Sequence, residues 1–163
     1  MKSKFSGWAY FITFYASLFT LILLFCIVSD IAYNNILPAY FYFIITCCVI
    51  FVWCWVVLGE LRNKVVSIEI GYDNIIIKRY LGLGPAKTIY FDQLDGFKTS
   101  ILPSRANLYE FLYLMAGDKK VVKLSQYYHR NYTDLKEALI SANIKDLGFE
   151  DYSAMRELKE IFI

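Results

Sequence analysis

Few side chains in this chain have both the type and the spacing to do chemistry. Gly82-Leu83-Gly84-Pro85-Ala86-Lys87-Thr88 has the composition of a loop that cradles phosphate. Ala86 stands where a glycine is needed, the spacing from the first glycine is wrong, and a β-branched and aromatic run follows where a helix N-terminus is required. A hairpin turn accounts for it better. His129 is the single histidine, with no recognisable Ser or Cys nucleophile motif beside it, and a lone imidazole does not build a typical metal site. Asp92 and Asp95 could form a carboxylate pair, but side-chain to backbone bonds in a turn explain them more simply. Cys26, Cys47, Cys48 and Cys54 match no zinc spacing and all fall in apolar runs, where the reactive thiolate is disfavoured. They read as small packing residues. With no triad, metal cluster or nucleotide fingerprint, the chain is expected to be non-enzymatic and to use no cofactor.

The elements that carry these residues divide sharply. Of 163 residues, 58% are hydrophobic and 20% charged, yet residues 1–61 hold only Lys2, Lys4, Asp30 and Glu60. Trp8–Val28 and Ile36–Leu58 are free of charge, and as helices they would measure roughly 32 and 35 Å against about 30 Å of hydrocarbon. Residues 1–61 are therefore expected to form a transmembrane hairpin with spans at about 8–28 and 36–58. A cleaved signal peptide is disfavoured, because the first run is too long and no small-residue cleavage site follows it.

Lys2 and Lys4 precede the first span, Arg62 and Lys64 follow the second, and the connection Ser29–Asn35 has no base. The distribution of Lys and Arg thus predicts a two-pass protein of the cytoplasmic (inner) membrane with both termini cytoplasmic. Trp8, Tyr10, Trp53 and Trp55 would mark the inner interface, Tyr33 and Tyr40 the outer. Ala9, Thr13, Ser17 and Thr20 recur every three or four residues, a face suited to close helix packing against Ala39, Thr46, Cys47 and Cys54. The spans contain no ionisable side chain other than cysteine and tyrosine, which leaves a transporter little to work with.

Residues 62–163 read as strands first and helix last: Val65–Ile70, Ile75–Tyr80, Lys87–Phe91, Phe97–Leu102, Leu108–Ala116 and Lys120–Ser125, separated by Gly- and Asp-rich turns. Thr133 can cap a helix bearing Leu135, Leu139 and Ala142 on one face. After Gly148 an amphipathic stripe of Tyr152, Met155, Leu158 and Phe162 predicts a C-terminal helix within 146–163, regular from Asp151. The expected fold is α+β: the hairpin, then a small antiparallel barrel or sandwich capped by a helix.

Two segments resemble a known family. Thr88-Ile89-Tyr90-Phe91-Asp92-Gln93-Leu94-Asp95-Gly96-Phe97 and Ser125-Gln126-Tyr127-Tyr128, leading through Asn131 and Tyr132 to Leu135 and Leu139, look like the packing patterns of membrane-anchored bacterial pleckstrin-homology-like (PH-like) domains. The resemblance covers roughly residues 62–145. It implies about seven strands, of which six are counted, with the seventh sought within Phe97–Asn107. Phosphoinositide-binding relatives carry bases in the first hairpin loop. Gly71-Tyr72-Asp73-Asn74 has an acid instead, so specific lipid-headgroup recognition is not expected. Lys119, Lys120 and Lys123 read as a solvated hairpin tip, and a net charge of +2 argues against nucleic acid.

Leu108–Ala116 is apolar on both faces. Leu108, Leu112 and Leu114 point one way; Tyr109, Phe111, Tyr113 and Met115 point the other. Either the last helix covers the aromatic face or that face is an interaction surface. The functional expectation is an interaction or scaffold module, contacting the bilayer and a protein partner or its own copies. The alternative is a small accessory or immunity-type membrane protein acting through its hairpin.

Overall fold

The computed structural model describes residues 1–33, 38–103, 108–153 and 155. Helix α1 is Gly7–Tyr33. Helix α2 is Ala39–Cys54, entered at Pro38, whose ring presets φ −63° and whose missing N–H costs nothing at a helix start. The helix widens into a π-helical stretch, Trp55–Leu61. Gly7–Ala32 and Tyr40–Leu61 are each long and apolar enough to cross a bilayer, and only 6% of each is buried within the chain, unlike a soluble core helix. They fit a two-pass membrane protein.

Among the described residues seven strands follow, in two sheets. β1 (Ser67–Ile70), β2 (Asn74–Lys78) and β3 (Ala86–Tyr90) form an antiparallel meander. β4 (Gly96–Pro103), β5 (Leu108–Ala116), β6 (Lys119–Ser125) and β7 (Asp146–Phe149) form the second sheet in the order β6-β5-β4-β7. Helix α3 (Tyr132–Ser141) links β6 to β7. The core lies between the sheets: Ile68, Ile75, Ile77 and Ile89 from the first face Phe97, Leu112, Leu114 and Leu124 from the second, and Leu135 and Leu139 of α3 join them, all nearly or fully excluded from solvent. Among the described residues the sheets do not close into a barrel.

Three placements differ from the sequence expectation. The seventh strand among the described residues does not come from 97–103, which belong to β4. It is β7, inside the segment assigned to the C-terminal helix, and it pairs parallel with β4 through Phe97↔Asp146 and Thr99↔Phe149. Gly148, at φ +89°, turns the backbone within it. Of the amphipathic stripe, Leu158 and Phe162 lie outside the described residues. Second, the N-cap of α3 is Asn131 and not Thr133, and the helix begins at Tyr132. Third, all four cysteines are exposed on the helices rather than packed within the chain.

The first six residues belong to the β-domain. Met1 and Ser3 lie along the open edge of β1: Ile70 N–H donates to Met1 O at 2.6 Å, Ser3 N–H to Ile68 O at 2.7 Å, and Ile68 N–H to Ser3 Oγ at 2.9 Å. This strap covers a sheet edge that would otherwise expose unpaired backbone groups. On its other side, Lys4 N–H donates to Asn131 Oδ1 (2.7 Å), Arg130 N–H to Lys4 O (2.8 Å), and Ser6 N–H to Tyr128 O (2.9 Å). Asn131 therefore spends its side chain on the strap and makes no side-chain cap bond to α3.

Candidate functional site

The hairpin and the β-domain meet in one continuous cluster. Ala9 and Ala16 of α1, Val56 and Leu61 of the π-helical stretch, Val65 and Tyr128 are buried together, with Ile12, Val52, Trp53, Tyr80 and Leu81 packed around them. Of the residues expected to form the packing face, Ala9 is fully buried, Thr13 and Thr20 are half-buried and Ser17 is exposed. Ala16, which the spacing argument passed over, takes the central position. Thr20 Oγ1 accepts from Trp53 Nε1 at 2.9 Å across the hairpin. Thr13 and Ser17 hydroxyls donate to carbonyls of their own helix.

The wider π-helical turn brings Glu60 inward. Its Oε2 accepts from the Tyr128 hydroxyl at 2.7 Å and its Oε1 pairs with Lys64 Nζ at 2.9 Å. Burial, and then the Glu60 charge, push the Tyr128 phenol above its ordinary range, so it remains a donor. His129, 1% exposed, sits beside this contact with Nδ1 2.9 Å from Ser125 O and Nε2 2.8 Å from Val66 O. The two carbonyls favour the proton, but burial opposes it more strongly and the imidazole pKa is lowered. His129 thus ties the β6–α3 connection to the linker after α2 as a buried structural residue.

The aromatic face of β5 is not open. Phe111, Tyr113 and Met115 are 3–5% exposed. Leu102, Leu147 of β7 and Tyr152 pack on them, so β7 and the segment just after it take the covering role expected of the last helix. Lys123 Nζ stands 4.2 Å from the Phe111 ring centroid and Lys120 Nζ 4.0 Å from that of Tyr113. Tyr109 alone of the four is half-exposed, edge-on to Tyr127, which in turn stacks on Trp8. An unbroken aromatic stripe therefore does not reach the surface.

The glycine-rich segment is a turn, as its residue types require, but a strained one. Tyr80 (φ 54°) and Leu81 (φ 59°) adopt the left-handed region that bulky side chains avoid. Tyr80 N–H donates to Leu61 O at 3.1 Å and Leu81 N–H to Val65 O at 3.0 Å, which hold the turn against the end of the second span. Asp92 lies in a short 3₁₀ turn, Phe91–Gln93, while Asp95 accepts from Gly117 N–H, so the two acids serve separate turns. Among the described residues no group of His, Cys, Asp and Glu could hold a metal ion.

Beside this turn opens a cavity of about 860 Å³. Six cations line it: Arg62 and Arg79 near the end of the second helix, Lys98 of β4, and Lys119, Lys120 and Lys123 of β6. Asp118 and Glu150 are its two acids. Glu150 lies 3.2 Å from Lys120 and 3.9 Å from Lys98. Val66, Ile77 and Met115 are among its apolar lining residues. The six cations were legible one by one, but nothing in their spacing, from 62 to 123, signals a common wall. No protein-family model, curated protein or solved structure matches this chain.

Proposed function

We propose that this chain is a non-enzymatic, membrane-anchored interaction module, whose hairpin holds a PH-like domain at the cytoplasmic face of the membrane for a protein partner or a second copy. The observation that carries this reading is the joint between hairpin and domain. The strap bonds of Met1–Ser6, the Glu60–Tyr128 contact and the buried Ala9, Val56 and Val65 tie both helices to the domain at one end of the hairpin. A domain fixed in this way has a restricted orientation and a raised effective concentration at the surface, so weak contacts suffice for binding. The Lys and Arg placement supports a cytoplasmic domain. The PH-like assignment draws on the two sequence segments and on seven strands in two sheets. The parallel β7 after the helix departs from it.

A second reading, action through the hairpin on another membrane protein, draws on the outer part of the helices. Phe25, Phe43 and Ile44 there remain exposed, an apolar side surface open to lipid or to a foreign helix.

Site-specific photocrosslinking of the full chain in native membranes tests both. Probes at Tyr72 and Leu83, 101% and 88% exposed at the turns after β1 and β2, report on the domain. Probes at Phe25 and Phe43 report on the spans. Discrete protein adducts from the domain positions are expected. Adducts confined to the span positions support the second reading, and adducts from neither set defeat both.

A further inference from the structure

The π-helical stretch Trp55–Leu61 has no sufficient cause in its own sequence. It contains no proline, and Val56, Val57 and Gly59 do no more than weaken the preference for α winding. Its wide turns are closed by bonds that reach five residues back. Arg62 N–H donates to Val57 O at 3.0 Å and, just beyond, Val65 N–H to Glu60 O at 3.1 Å. Turns of this kind are rare, and they gather at functional sites.

The cause is a mismatch between two grips on one helix. On the α1 side, Val52, Trp53 and Val56 share a cluster with Ala9 and Ala16, and Trp53 Nε1 donates to Thr20 Oγ1 at 2.9 Å. On the domain side, the Tyr128 hydroxyl donates to Glu60 at 2.7 Å and Tyr80 N–H to Leu61 O at 3.1 Å, with Leu61 itself buried. In an α-helix, at about 100° per residue, Leu61 would stand about 140° round from Val56. Closure over five residues brings the two nearly into line, so both grips hold at once. The wide turns therefore hold about one residue more than α winding needs between the two grips.

From this geometry we infer that the stretch is a rotary joint with two settings. In the setting seen here, the spare residue sits in the wide turns and the Glu60–Tyr128 bond latches it. In the other, the stretch winds as an ordinary α-helix and α2 turns by about one residue, roughly 100°, relative to the domain. The turning part is α2, because α1 is fixed to the domain through the strap bonds of Lys4 and Ser6. Glu60 suits a latch. A carboxylate loses hydration on burial and stays only where partners replace it, here the Tyr128 hydroxyl and Lys64 Nζ. The two settings can be biased from either end. A neighbour that turns α2 draws Glu60 from Tyr128, whose carbonyl holds the Ser6 amide of the strap; a partner that moves Tyr128 turns α2. That use of the joint rests on the membrane-anchored reading of the module. The two settings themselves do not.

The test measures the distance between spin labels at Leu21→Cys and Phe51→Cys, exposed positions on α1 and α2, by double electron–electron resonance on the full chain in detergent. The four native cysteines, all exposed, are replaced by alanine. Glu60→Ala is expected to raise a second population displaced by about 5 Å or more, since a label on a helix about 10 Å across is carried round with it. Deleting the exposed Leu58 as well removes the spare residue. Position 60 and Leu61 then stand three and four residues from Val56, on one α-helical face, and the displaced population is expected to vanish. No displaced population in Glu60→Ala, or one that persists after the deletion, overturns the proposal: the first shows a fixed joint, the second a merely loosened one. Where near-UV circular dichroism shows that Glu60→Ala has not folded, Tyr128→Phe takes its place under the same criteria. No partner enters the measurement, so its failure and that of the crosslinking experiment are separate.

Discussion

Replacing Tyr128 by Phe deletes one oxygen from the joint between hairpin and domain. That oxygen donates to a carboxylate at 2.7 Å, with Tyr128 7% and Glu60 9% exposed, so water cannot replace it freely. Hydrogen bonds to charged groups are worth about 1.5–3 kcal/mol, and the ring that fills the space is retained, so no cavity cost is added. Lys64 still holds the other carboxylate oxygen, at 2.9 Å, which keeps the loss within that range. With a urea m-value of about 2 kcal/mol/M, the unfolding midpoint of the β-domain, followed by near-UV circular dichroism of the full chain in detergent, should fall by about 1 M. The Ser6 amide, which donates to Tyr128 O, should exchange about 10- to 100-fold faster, since each 1.4 kcal/mol is a factor of ten. A double-mutant cycle with Glu60→Gln should show a coupling of about 1 kcal/mol or more. A midpoint shift below about 0.25 M, or strict additivity in the cycle, would refute the idea that this contact secures the domain to the second span.

Three further outcomes follow from packing and protonation. Gly96→Ala should cost about 3 kcal/mol in the same unfolding assay, because a Cβ at φ +154° would stand 2.2 Å from Lys145 O, a backbone atom; a cost under about 1 kcal/mol would show that the α3–β7 connection gives way. Tyr132 Oη is buried short of a full hydrogen bond, with the Glu110 carboxylate acting on it, so Tyr132→Phe should cost no more than about 1 kcal/mol, and a larger loss would show that the Glu110 contact is a full hydrogen bond. His129 has a lowered folded pKa, so the unfolded chain takes up its proton first; its contribution is present above about pH 6.5 and is lost as pH falls from there through the folded value. His129→Gln should flatten that acid limb of the stability profile, and an unchanged slope would refute the assignment.

Much of the fold was legible because it rests on short-range pattern. Twenty charge-free residues in a row make a helix long and apolar enough to cross a bilayer, and alternating β-branched residues between glycine turns make hairpins. Thus Trp8–Val28 falls within α1, Ile75–Tyr80 overlaps β2, and Leu135 and Leu139 share the buried face of α3. The packing face of α1 was half legible: a four-residue spacing found Ala9, but polarity drew attention to Ser17, while contact geometry selected Ala16. β7 was missed because four residues around a glycine carry no alternation, and only the free edge of β4 gives them a partner.

The sequence by itself determined that this chain has two long apolar helices followed by a strand-rich domain with a helix after its sixth strand, because unbroken apolar runs and strand periodicity are written into neighbouring residues. Tertiary structure alone decided what the exceptional side chains do. It buried Phe111, Tyr113 and Met115 under Leu147 and Tyr152, paired Tyr128 with Glu60 across 68 residues, and laid Met1–Ser6 along β1. It also brought Arg62, Arg79 and Lys98 to the same opening as three lysines of β6. Each depends on contacts between residues far apart in the chain, where local periodicity says nothing and the relative placement of two sheets and a hairpin fixes the outcome.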